Sequence, residues 1–510
     1  MKKMRWYDYI TVNIFWLGLN IRNISVQNYI MPYMVNLFVP EAIKNTALGG
    51  MRAAGLVIAM LVQPATGLLS DRSTSRFGRR RPYILIGALG DLLFLAAIAL
   101  SWNYVSLLLA ILLIQFTSNI SHGPLQGLIP DLVPEDQRGK ASAVKSVMEL
   151  IPVILVGLTI AQMIGPGPFM FVITFNRMEL FHFTFSNGLK AAIFLTGVAL
   201  FVVLMVTLFF VKEEPLVGKP DTPFWPSMLR VLGMLAGIVV GALAGLIGGL
   251  LLGGLAGLAS LPFTHEALAW SVDGRLTTFA ALTVGVGGGV AMVMAVIVGV
   301  WAGTLATLGQ DARRNASFTW WVVNRLMFLA AVTSIQGSVL YFVMYAFKLS
   351  GEGATGLTGT LNTVIGAFIV VTALASGWIA DRIGRRLLVS LSGITAAVGG
   401  FLLLGTIWLP NLGVIYTAGI VIGLGTGLFM TANWALGTDL VPPGEAGRYL
   451  GVSNLAGAGA GIVGAGIGGI VADQLNLVRP GLGYFAIFAS YAVLFALSSV
   501  SLLGVHESKK

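Results

Sequence analysis

The sequence has no cysteine and only four histidines among its 510 residues. Without cysteine the chain forms no disulfide bond and no thiolate metal site, and the histidines lie too far apart in sequence to suggest a metal-binding motif. No Gly-Lys pair is followed by Ser or Thr, so the phosphate-binding loop typical of ATP-driven proteins is absent. We therefore expect no metal, no other cofactor and no enzymatic activity.

Charged residues are also scarce, at 10% of the chain, whereas hydrophobic residues make up 56% and the mean hydropathy is +0.87. A soluble fold of this length does not bury that much apolar surface. The net charge of +10 comes from basic residues in short loops between apolar segments, which indicates membrane topology and not nucleic-acid binding. The sequence thus predicts a polytopic protein of the lipid bilayer.

Fourteen apolar stretches are long enough, at roughly 20 residues, to cross a bilayer as helices. Their approximate bounds are 8–35, 48–70, 82–101, 105–130, 141–165, 188–211, 228–259, 277–306, 320–346, 355–380, 386–408, 412–437, 450–473 and 482–504. With both termini in the cytoplasm, about two thirds of the 31 Lys and Arg fall in cytoplasmic segments. We expect a multi-pass protein of a plasma membrane or a bacterial inner membrane.

An arginine-rich loop occurs twice, with the frame G-x3-D-R…G-R-R, and the second copy lies 310 residues after the first. The gating residues predicted in the two copies are Gly67, Asp71, Arg72, Gly78, Arg79 and Arg80, and Gly377, Asp381, Arg382 and Arg385. We expect the aspartates to pair with arginines at the cytoplasmic face in one state of a transport cycle. Anchoring by the positive-inside rule is the alternative explanation of the same residues.

A second repeat follows the fourth span of each set, where Pro130 to Gly139 returns as Thr438 to Gly447. Two six-helix halves repeated in parallel, with substrate bound near the midplane, are the architecture of the major facilitator superfamily. The sequence therefore predicts an all-α membrane protein with the major facilitator fold and 14 transmembrane helices. The predicted parts are a six-helix half at 1–212, an inserted Gly-rich two-helix segment with cytoplasmic linkers at 213–315, and a second half at 316–510.

The loop QPATGLLSDRSTSRFGRRRPY at 63–83 resembles the corresponding loop of the plant sucrose–proton symporters and their animal relatives, within the glycoside–pentoside–hexuronide branch. The stretch from Gly123 to Leu132 is similar to the G-P-x-R-A-L-x-x-D-L motif of that family, but Gln126 stands where the family has Arg. The resemblance implies symport of a sugar or glycoside with protons, with the proton gradient as the energy source. The missing Arg argues against sucrose itself as the substrate.

Polar side chains form stripes on the first and fourth spans, which line the central cavity in this superfamily. The fourth span carries its polar residues at spacings of 4, 3 and 4, within about 60° of one another, and the first carries amides at intervals of seven. The predicted substrate-binding residues are Asn20, Asn23, Gln27, Gln115, Asn119, His122 and Gln126, with Gln336, Asn433 and Trp434 in the second half. Hydrogen bonding between helices is the alternative explanation.

Ionisable side chains inside membrane spans are costly, so each of them needs a reason. The predicted proton-coupling residues are Asp131, Glu149, His122 and Arg22. Glu149 lies one helical turn from Lys145, which alternatively neutralises it, and Asp131 recurs as Asp439, which alternatively indicates a cap or gate. Asp91, in the third span, has no role that the sequence explains.

Glycines recur every fourth residue from Gly233 to Gly257 in the inserted pair of spans. Such a ridge lets another helix approach closely. The partner is either the neighbouring span, in an intramolecular hairpin, or a second protomer. We expect the hairpin and a monomer, with a dimer through these helices as the alternative.

The sequence as a whole predicts a secondary carrier that moves a small molecule, a sugar or glycoside, together with protons by alternating access. Because one fold hosts many functions, a proton-coupled exporter of an amphiphilic small molecule is an alternative. A membrane sensor or scaffold that transports nothing is the alternative of another class.

Overall fold

A computed structural model describes residues 4–134, 137–175, 178–213, 224–260, 274–441 and 446–506. Within these residues, 13 helices are long and apolar enough to cross a membrane. The prediction of a helical multi-pass membrane protein is confirmed, with one addition between the fifth and sixth predicted spans. That addition is an antiparallel hairpin of β1 (Phe169–Phe175) and β2 (Met178–Phe185), whose aromatic and β-branched residues favour strands.

The first helix is the predicted span that lies outside these 13. It runs as α1 (Trp6–Ile24), a π-helical turn (Ser25–Ile30) and α2 (Met31–Phe38). Its arginine and amides lower its mean hydropathy. In the π turn, the Met31 N–H bonds to Val26 O, five residues back. Such turns occur frequently at functional sites.

The other elements follow the predicted spans to within several residues. The helices of the first sequence half are α3 (Lys44–Asp71), α4 (Arg81–Ala99), α5 (Tyr104–Gln126), α6 (Leu128–Leu132), α7 (Arg138–Leu158), α8 (Ile160–Met163) and α9 (Gly188–Phe210). The inserted segment forms α10 (Phe224–Ser260) and α11 (Gly274–Leu308). The second half contains α12 (Asp311–Arg314), α13 (Ala316–Phe347), α14 (Gly351–Ile383), α15 (Arg385–Leu404), α16 (Leu412–Asp439), α17 (Ala446–Val478) and α18 (Leu482–Ser501).

The chain forms two compact units. The first comprises Met1–Phe38, Leu61–Phe224 and Lys348–Gly366, and the second comprises Val39–Met60, Trp225–Phe347 and Ala367–Lys510. Helices α3 and α14 therefore each contribute to both units. The three-part division of the sequence stays a prediction, and the linker residues 214–223 and 261–273 lie outside the described residues.

In the first unit, α1 packs against α7 and α9, and α4 packs against α5 and α9. The buried core at this junction includes Phe15 and Leu19 of α1, Ala88 of α4 and Leu200 of α9. These apolar contacts enclose α1 on several sides. A charged side chain on the packed face of α1 is consequently shielded from the surroundings.

In the second unit, α13 packs against α17 and α18, and α15 packs against α16 and α18. Phe328 of α13 stacks on Phe429 of α16 with ring centroids 3.7 Å apart, and it meets Phe495 of α18 edge-on at 5.0 Å. These three rings fix α13 and α16 against each other. The two helices carry the candidate residues of the second half.

The inserted helices α10 and α11 pack along the predicted glycine ridge. A methyl group at Gly241 would lie 2.5 Å from Ala295 O, and one at Gly253 would lie 2.4 Å from Thr283 O. The backbone of α11 therefore approaches too closely for any side chain at these positions. The structure shows the intramolecular hairpin, and α11 packs in turn against α17 and α18. The dimer stays a prediction.

Candidate functional site

The first arginine-rich loop joins α3 to α4 and is held by paired charges. Gly78 has a φ of +98°, a conformation that favours glycine. Arg80 is 6% exposed, and its guanidinium lies 2.5 Å from Asp71 and 2.9 Å from Asp131. Asp131 also pairs with Arg79. The loop thereby joins the acids of both repeated motifs in one network, which links the end of α3 to α6.

The backbone of this loop is held by Glu213, which follows α9. Its carboxylate accepts hydrogen bonds from the N–H groups of Arg80 and Arg81, each at 2.9 Å. Burial raises the pKa of Glu213 above its ordinary value, and the two N–H donors oppose that shift. The hydrogen bond to Asp131 raises the pKa of Arg79, so that this arginine stays charged.

The second loop repeats the main contact of the first. Gly384 has a φ of +90°, and Arg385 Nη1 lies 2.5 Å from Asp439 Oδ2. This pair corresponds, residue for residue in the repeat, to Arg79 and Asp131 of the first half. In each half, therefore, the arginine after the glycine binds the acid that follows the fourth span. The sequence contained this signal, because both motifs recur with nearly the same shift.

The remaining motif residues lie in or directly after the last turns of α3 and α14, and they are half-buried or exposed. They are Gly67, Arg72, Gly377, Asp381 and Arg382. Among the described residues, Asp71 pairs with Arg80 of its own unit, and Arg382 lies over the ring of Trp378 at 3.8 Å. The predicted gating role of these residues stays a prediction.

The polar stripe of the fourth span lies on α5. Gln115 and Asn119 are buried, and Asn119 Nδ2 donates to Gln115 O at 2.7 Å. His122 is half-buried, and its ring centroid lies 5.2 Å from that of Trp16 on α1. Gln126 ends the helix and is exposed. The structure thus brings the first three residues of the stripe into the unit and leaves Gln126 at its edge.

The amide stripe of the first span is interrupted. Asn20 is half-buried and its Nδ2 donates to Trp16 O at 2.9 Å, while Asn23 is exposed. Gln27 is half-buried and lies in the π turn. The sevenfold spacing assumes a regular α-helix with 100° per residue, and a π turn changes the phase of the residues that follow it. Gln27 therefore does not continue the line of Asn20.

A buried ion pair joins α1 to α4 in the first unit. Arg22 Nη2 lies 3.2 Å from Asp91 Oδ2, and the two side chains are 2% and 1% exposed. Thr117 of α5 donates its hydroxyl to Asp91 Oδ1 at 2.7 Å, and Ser118 Oγ accepts from Arg22 Nη2. Arg22 Nε and Nη1 have no hydrogen-bond partner among the described residues. The sequence predicts Arg22 as a proton-coupling residue, and the structure identifies Asp91 as the acid that it contacts.

The pair lies at the middle of two membrane-spanning helices. Asp91 is halfway along α4, and the π turn begins three residues after Arg22. Ionisable residues at such depth mark functional sites by default. Asp91 is the one acid in the predicted span 82–101, and this isolated acid is the feature by which the sequence could have identified it as a functional residue. The sequence could not show which arginine faces it, because that depends on how α1, α4 and α5 pack.

Glu149 and Lys145 lie one turn apart on α7. Their charged atoms are 3.2 Å apart, and the side chains are 33% and 31% exposed, respectively. Lys145 Nζ lies 4.2 Å above the ring of Trp16, which also contacts His122. The contact expected for mutual neutralisation of Glu149 and Lys145 is thus present.

A second cluster of candidate residues lies in the second unit, where α13 meets α16. Asn433 is buried, its Oδ1 accepts from Arg325 Nη1 at 3.1 Å, and its Nδ2 donates to Asn324 Oδ1 at 2.7 Å. The guanidinium carbon of Arg325 lies 5.2 Å from the ring centroid of Trp434. Gln336 lies three turns further along α13 and is half-buried. The structure brings Asn433 and Trp434 together around an arginine that the sequence did not assign to the site.

Among the residues that the structure describes, no three His, Asp or Glu side chains form a group that could hold a metal ion. The chemistry available in the two clusters therefore comes from amides, hydroxyls, aromatic rings and ionised side chains.

Two family models match the chain. A model described as "MFS/sugar transport protein" matches residues 16–214, and a model described as "Major Facilitator Superfamily" matches residues 322–510. The two matched regions lie on either side of residues 215–321. The inserted helices α10 and α11 lie between them.

Curated sugar transporters are similar to part of the chain. A sucrose transport protein of Arabidopsis thaliana is 26% identical over 222 residues, which are 38% of this chain and 34% of that protein. A sucrose transport protein of Oryza sativa subsp. japonica is 27% identical over 241 residues, 40% of this chain and 42% of its own length. The proton-associated sugar transporter A of Homo sapiens is 27% identical over 226 residues, which are 39% of this chain and 28% of that protein. The chain thus spans well under half the length of these relatives.

Solved structures are similar over nearly the whole chain. The crystal structure of a D-xylose-proton symporter aligns with 98% of this chain and 97% of its own, with a TM-score of 0.63 and 14% identity. The crystal structure of a peptide transporter, POT, aligns with 98% of this chain and 93% of its own, with a TM-score of 0.61 and 15% identity. At these identities the likeness concerns the fold.

Proposed function

We propose, from the premise that the chain belongs to the major facilitator superfamily, that it carries a sugar or glycoside together with protons by alternating access. The sugar part of the proposal is supported by the matched model and by the named sugar transporters. The proton part rests on one observation in the chain itself, the buried pair of Arg22 and Asp91 at the middle of the first unit.

A proton-coupled carrier needs an acid that is charged in one state and neutral in another. Asp91 is enclosed between α1, α4 and α5, and its charge is compensated by Arg22. A proton on Asp91 removes that charge and releases Arg22, which then has N–H donors for the oxygen atoms of a sugar. Binding of the proton and of the sugar therefore favour each other, which is the thermodynamic linkage that symport requires.

The polar residues of α5 are the proposed substrate contacts. Gln115, Asn119 and His122 lie on α5, the helix that also carries Thr117 and Ser118, which touch the pair. Carboxamides and an imidazole both donate and accept hydrogen bonds, as a ligand rich in hydroxyl groups needs. From α1 and the π turn we add Asn20, Asn23 and Gln27 to the proposed contacts.

The other acids of the first unit are proposed to have different roles. Asp131 pairs with Arg79 and Arg80 in the loop network, so we assign it to gating. Glu149 is partly exposed beside Lys145, so we assign this pair to local charge compensation. Proton coupling is therefore proposed at Asp91.

The experiment is uptake of labelled sucrose, maltose and simple glucosides into proteoliposomes, with and without an inward proton gradient. Asp91→Asn is expected to lose gradient-driven accumulation but to keep exchange of sugar across the membrane, because exchange needs no net proton movement. Asp91→Glu is expected to recover part of the accumulation, and Glu149→Gln is expected to behave as the wild type. Accumulation by Asp91→Asn at the wild-type level would contradict the assignment. Proton-driven efflux without uptake of any sugar would favour the exporter.

We also propose that both termini lie in the cytoplasm, as the basic loops predict. The absence of cysteine makes single-cysteine variants free of background labelling. Thr74→Cys, in the first arginine-rich loop, is expected to react with an impermeant maleimide only after the cytoplasmic side is opened. Ser350→Cys, between α13 and α14, is expected to react from outside. Reversed labelling would invert the topology.

A further inference from the structure

Arg325 of α13 is a cation in a membrane span with no acidic partner among the described residues. Its one described hydrogen bond runs from Nη1 to Asn433 Oδ1 at 3.1 Å, and Nε is buried without a partner. Its other contacts are with aromatic rings, at 5.2 Å from the centroid of Trp434 and 6.0 Å from that of Trp321. Arg22, a buried arginine of the other unit, instead lies 3.2 Å from the carboxylate of Asp91.

The surroundings hold the guanidinium in place without neutralising it. Asn433 is fixed through its backbone and its side chain, since its O accepts from Trp321 Nε1 at 2.9 Å and its Nδ2 donates to Asn324 Oδ1. Asn324 is fixed in turn by Ser498 O at 2.7 Å. The amide of Asn433 therefore keeps its oxygen toward Arg325 and positions it. Most donors of the guanidinium have no acceptor among the described residues.

A positive charge held in this way inside a membrane protein calls for an anion, because unpaired ionised groups are retained there for a purpose. A single guanidinium balances a single negative charge, which fits a carboxylate; the nearly double negative charge of a phosphate ester would stay partly uncompensated. Trp434 is 37% exposed, so its ring offers an apolar surface beside the charge. A carboxylate on a sugar-sized molecule satisfies both features.

We propose that Arg325 binds the carboxylate of the transported molecule, with Trp434 against the body of that molecule, so that the substrate is an acidic sugar. This inference rests on the proposed function and narrows its substrate class. Asn433 is a positioning residue here, since its polar atoms are occupied by Arg325, Trp321 and Asn324.

The test compares lactose with lactobionate, its oxidised form, which adds a carboxylate to a molecule of the same size. Proteoliposome uptake is measured for the wild type, Arg325→Gln and Arg325→Lys. The matched control is Arg479→Gln, since Arg479 lies over Trp408 at 5.1 Å in the same unit, an arginine–tryptophan contact of the same kind elsewhere. Thermal unfolding of the purified variants with lactobionate, lactose, chloride or phosphate gives a binding readout that does not need transport.

The wild type is expected to prefer lactobionate. Arg325→Gln is expected to lower kcat/KM for lactobionate by about 10- to 100-fold, as loss of a charge-assisted hydrogen bond does, with little change for lactose. Arg325→Lys is expected to lie between the two, and Arg479→Gln is expected to keep the wild-type ratio. Lactobionate is expected to raise the unfolding temperature of the wild type but not of Arg325→Gln.

Equal losses for lactose and lactobionate in Arg325→Gln would overturn the inference, and so would equal stabilisation by chloride or phosphate. If the protein takes up lactose but not lactobionate, and Arg325→Gln takes up lactose as the wild type does, the carboxylate-binding role of Arg325 is refuted and the proposed function stands. Stabilisation by lactobionate that depends on Arg325, in a protein that transports no sugar, would keep the site and refute the proposed function.

Discussion

Removing one member of the Arg22–Asp91 pair is expected to destabilise the protein more than removing both. At 3.2 Å and an effective dielectric constant of about 20, the two charges attract each other by about 5 kcal/mol. Burying each charge costs several kcal/mol, which offsets most of this attraction. A single substitution keeps one buried charge and removes its partner. We therefore expect Arg22→Met or Asp91→Leu to cost about 3–5 kcal/mol.

In the double variant Arg22→Met/Asp91→Leu both charges are gone. Replacing a buried ion pair with apolar residues of similar volume is often neutral or stabilising, so we expect stability within about 1 kcal/mol of the wild type. Unfolding of the purified variants in one detergent gives the four free energies, and the double-mutant cycle isolates the pairwise contribution. The same four proteins are then tested for proton-driven uptake. The double variant is expected to be stable and to accumulate no sugar.

Two results would refute this reasoning. Additive losses in the two single variants would mean that the charges do not interact in the folded protein. A stable double variant that still accumulates sugar in response to a proton gradient would mean that the pair interacts but does not couple transport to protons.

Three further predictions follow from the loops and the inserted hairpin. Asp131→Asn is expected to lower the free energy of unfolding by about 1.5–3 kcal/mol, because Asp131 is 18% exposed and pairs with two arginines. Asp439→Asn is expected to lower it by at most about 1 kcal/mol, because Asp439 is 46% exposed. A larger loss of thermal stability in Asp439→Asn than in Asp131→Asn would contradict this. Gly241→Leu, against the backbone of α11, is expected to lower the unfolding temperature, whereas Gly254→Leu, with open space around it, is not; equal effects would argue against the hairpin. Burial raises the pKa of Glu213 above its ordinary 4.5, so the stability contributed by its protonation is present below pH 4.5 and is lost as the pH rises through the folded-state pKa. As the pH rises from 4.5 through the folded-state pKa, the unfolding temperature of the wild type is thus expected to fall relative to that of Glu213→Gln. A difference in unfolding temperature that stays constant over this pH range would contradict a raised pKa for Glu213.

The helices and the repeat could be predicted from the sequence because a bilayer sets the length of a spanning helix and confines basic loops to one side. The repeat extends to single residues. Gly78 and Gly384 both have positive φ, and each precedes an arginine that binds the acid of the second motif. Local sequence is sufficient for such features, since a turn and a charge pattern are encoded within a few residues.

The candidate site was less predictable, because it depends on which helix faces meet at one depth. Arg22 and Asp91 could each be recognised as costly residues in a span, but their contact exists only through the packing of α1 against α4 and α5. The π turn left no signal either, since Ser25–Ile30 contains neither Gly nor Pro. The prediction that amides spaced by seven residues share one face of the first span therefore holds only for a regular α-helix. Arg325 likewise becomes a candidate only through its tertiary contacts with Asn433 and Trp434.

The π turn in the first helix is also a point at which the two ends of that helix can rotate relative to each other. A π turn holds one residue more than an α-helical turn, and each residue of an α-helix turns by about 100° and rises by about 1.5 Å. Converting the turn to α-helical hydrogen bonding therefore rotates one side of the helix against the other by about a quarter of a revolution without breaking it. Arg22 lies before the turn, and Tyr29, whose hydroxyl accepts from Asn362 at 2.9 Å, lies within it. One helix can thus turn a charged residue relative to an anchored one while it stays continuous across the membrane.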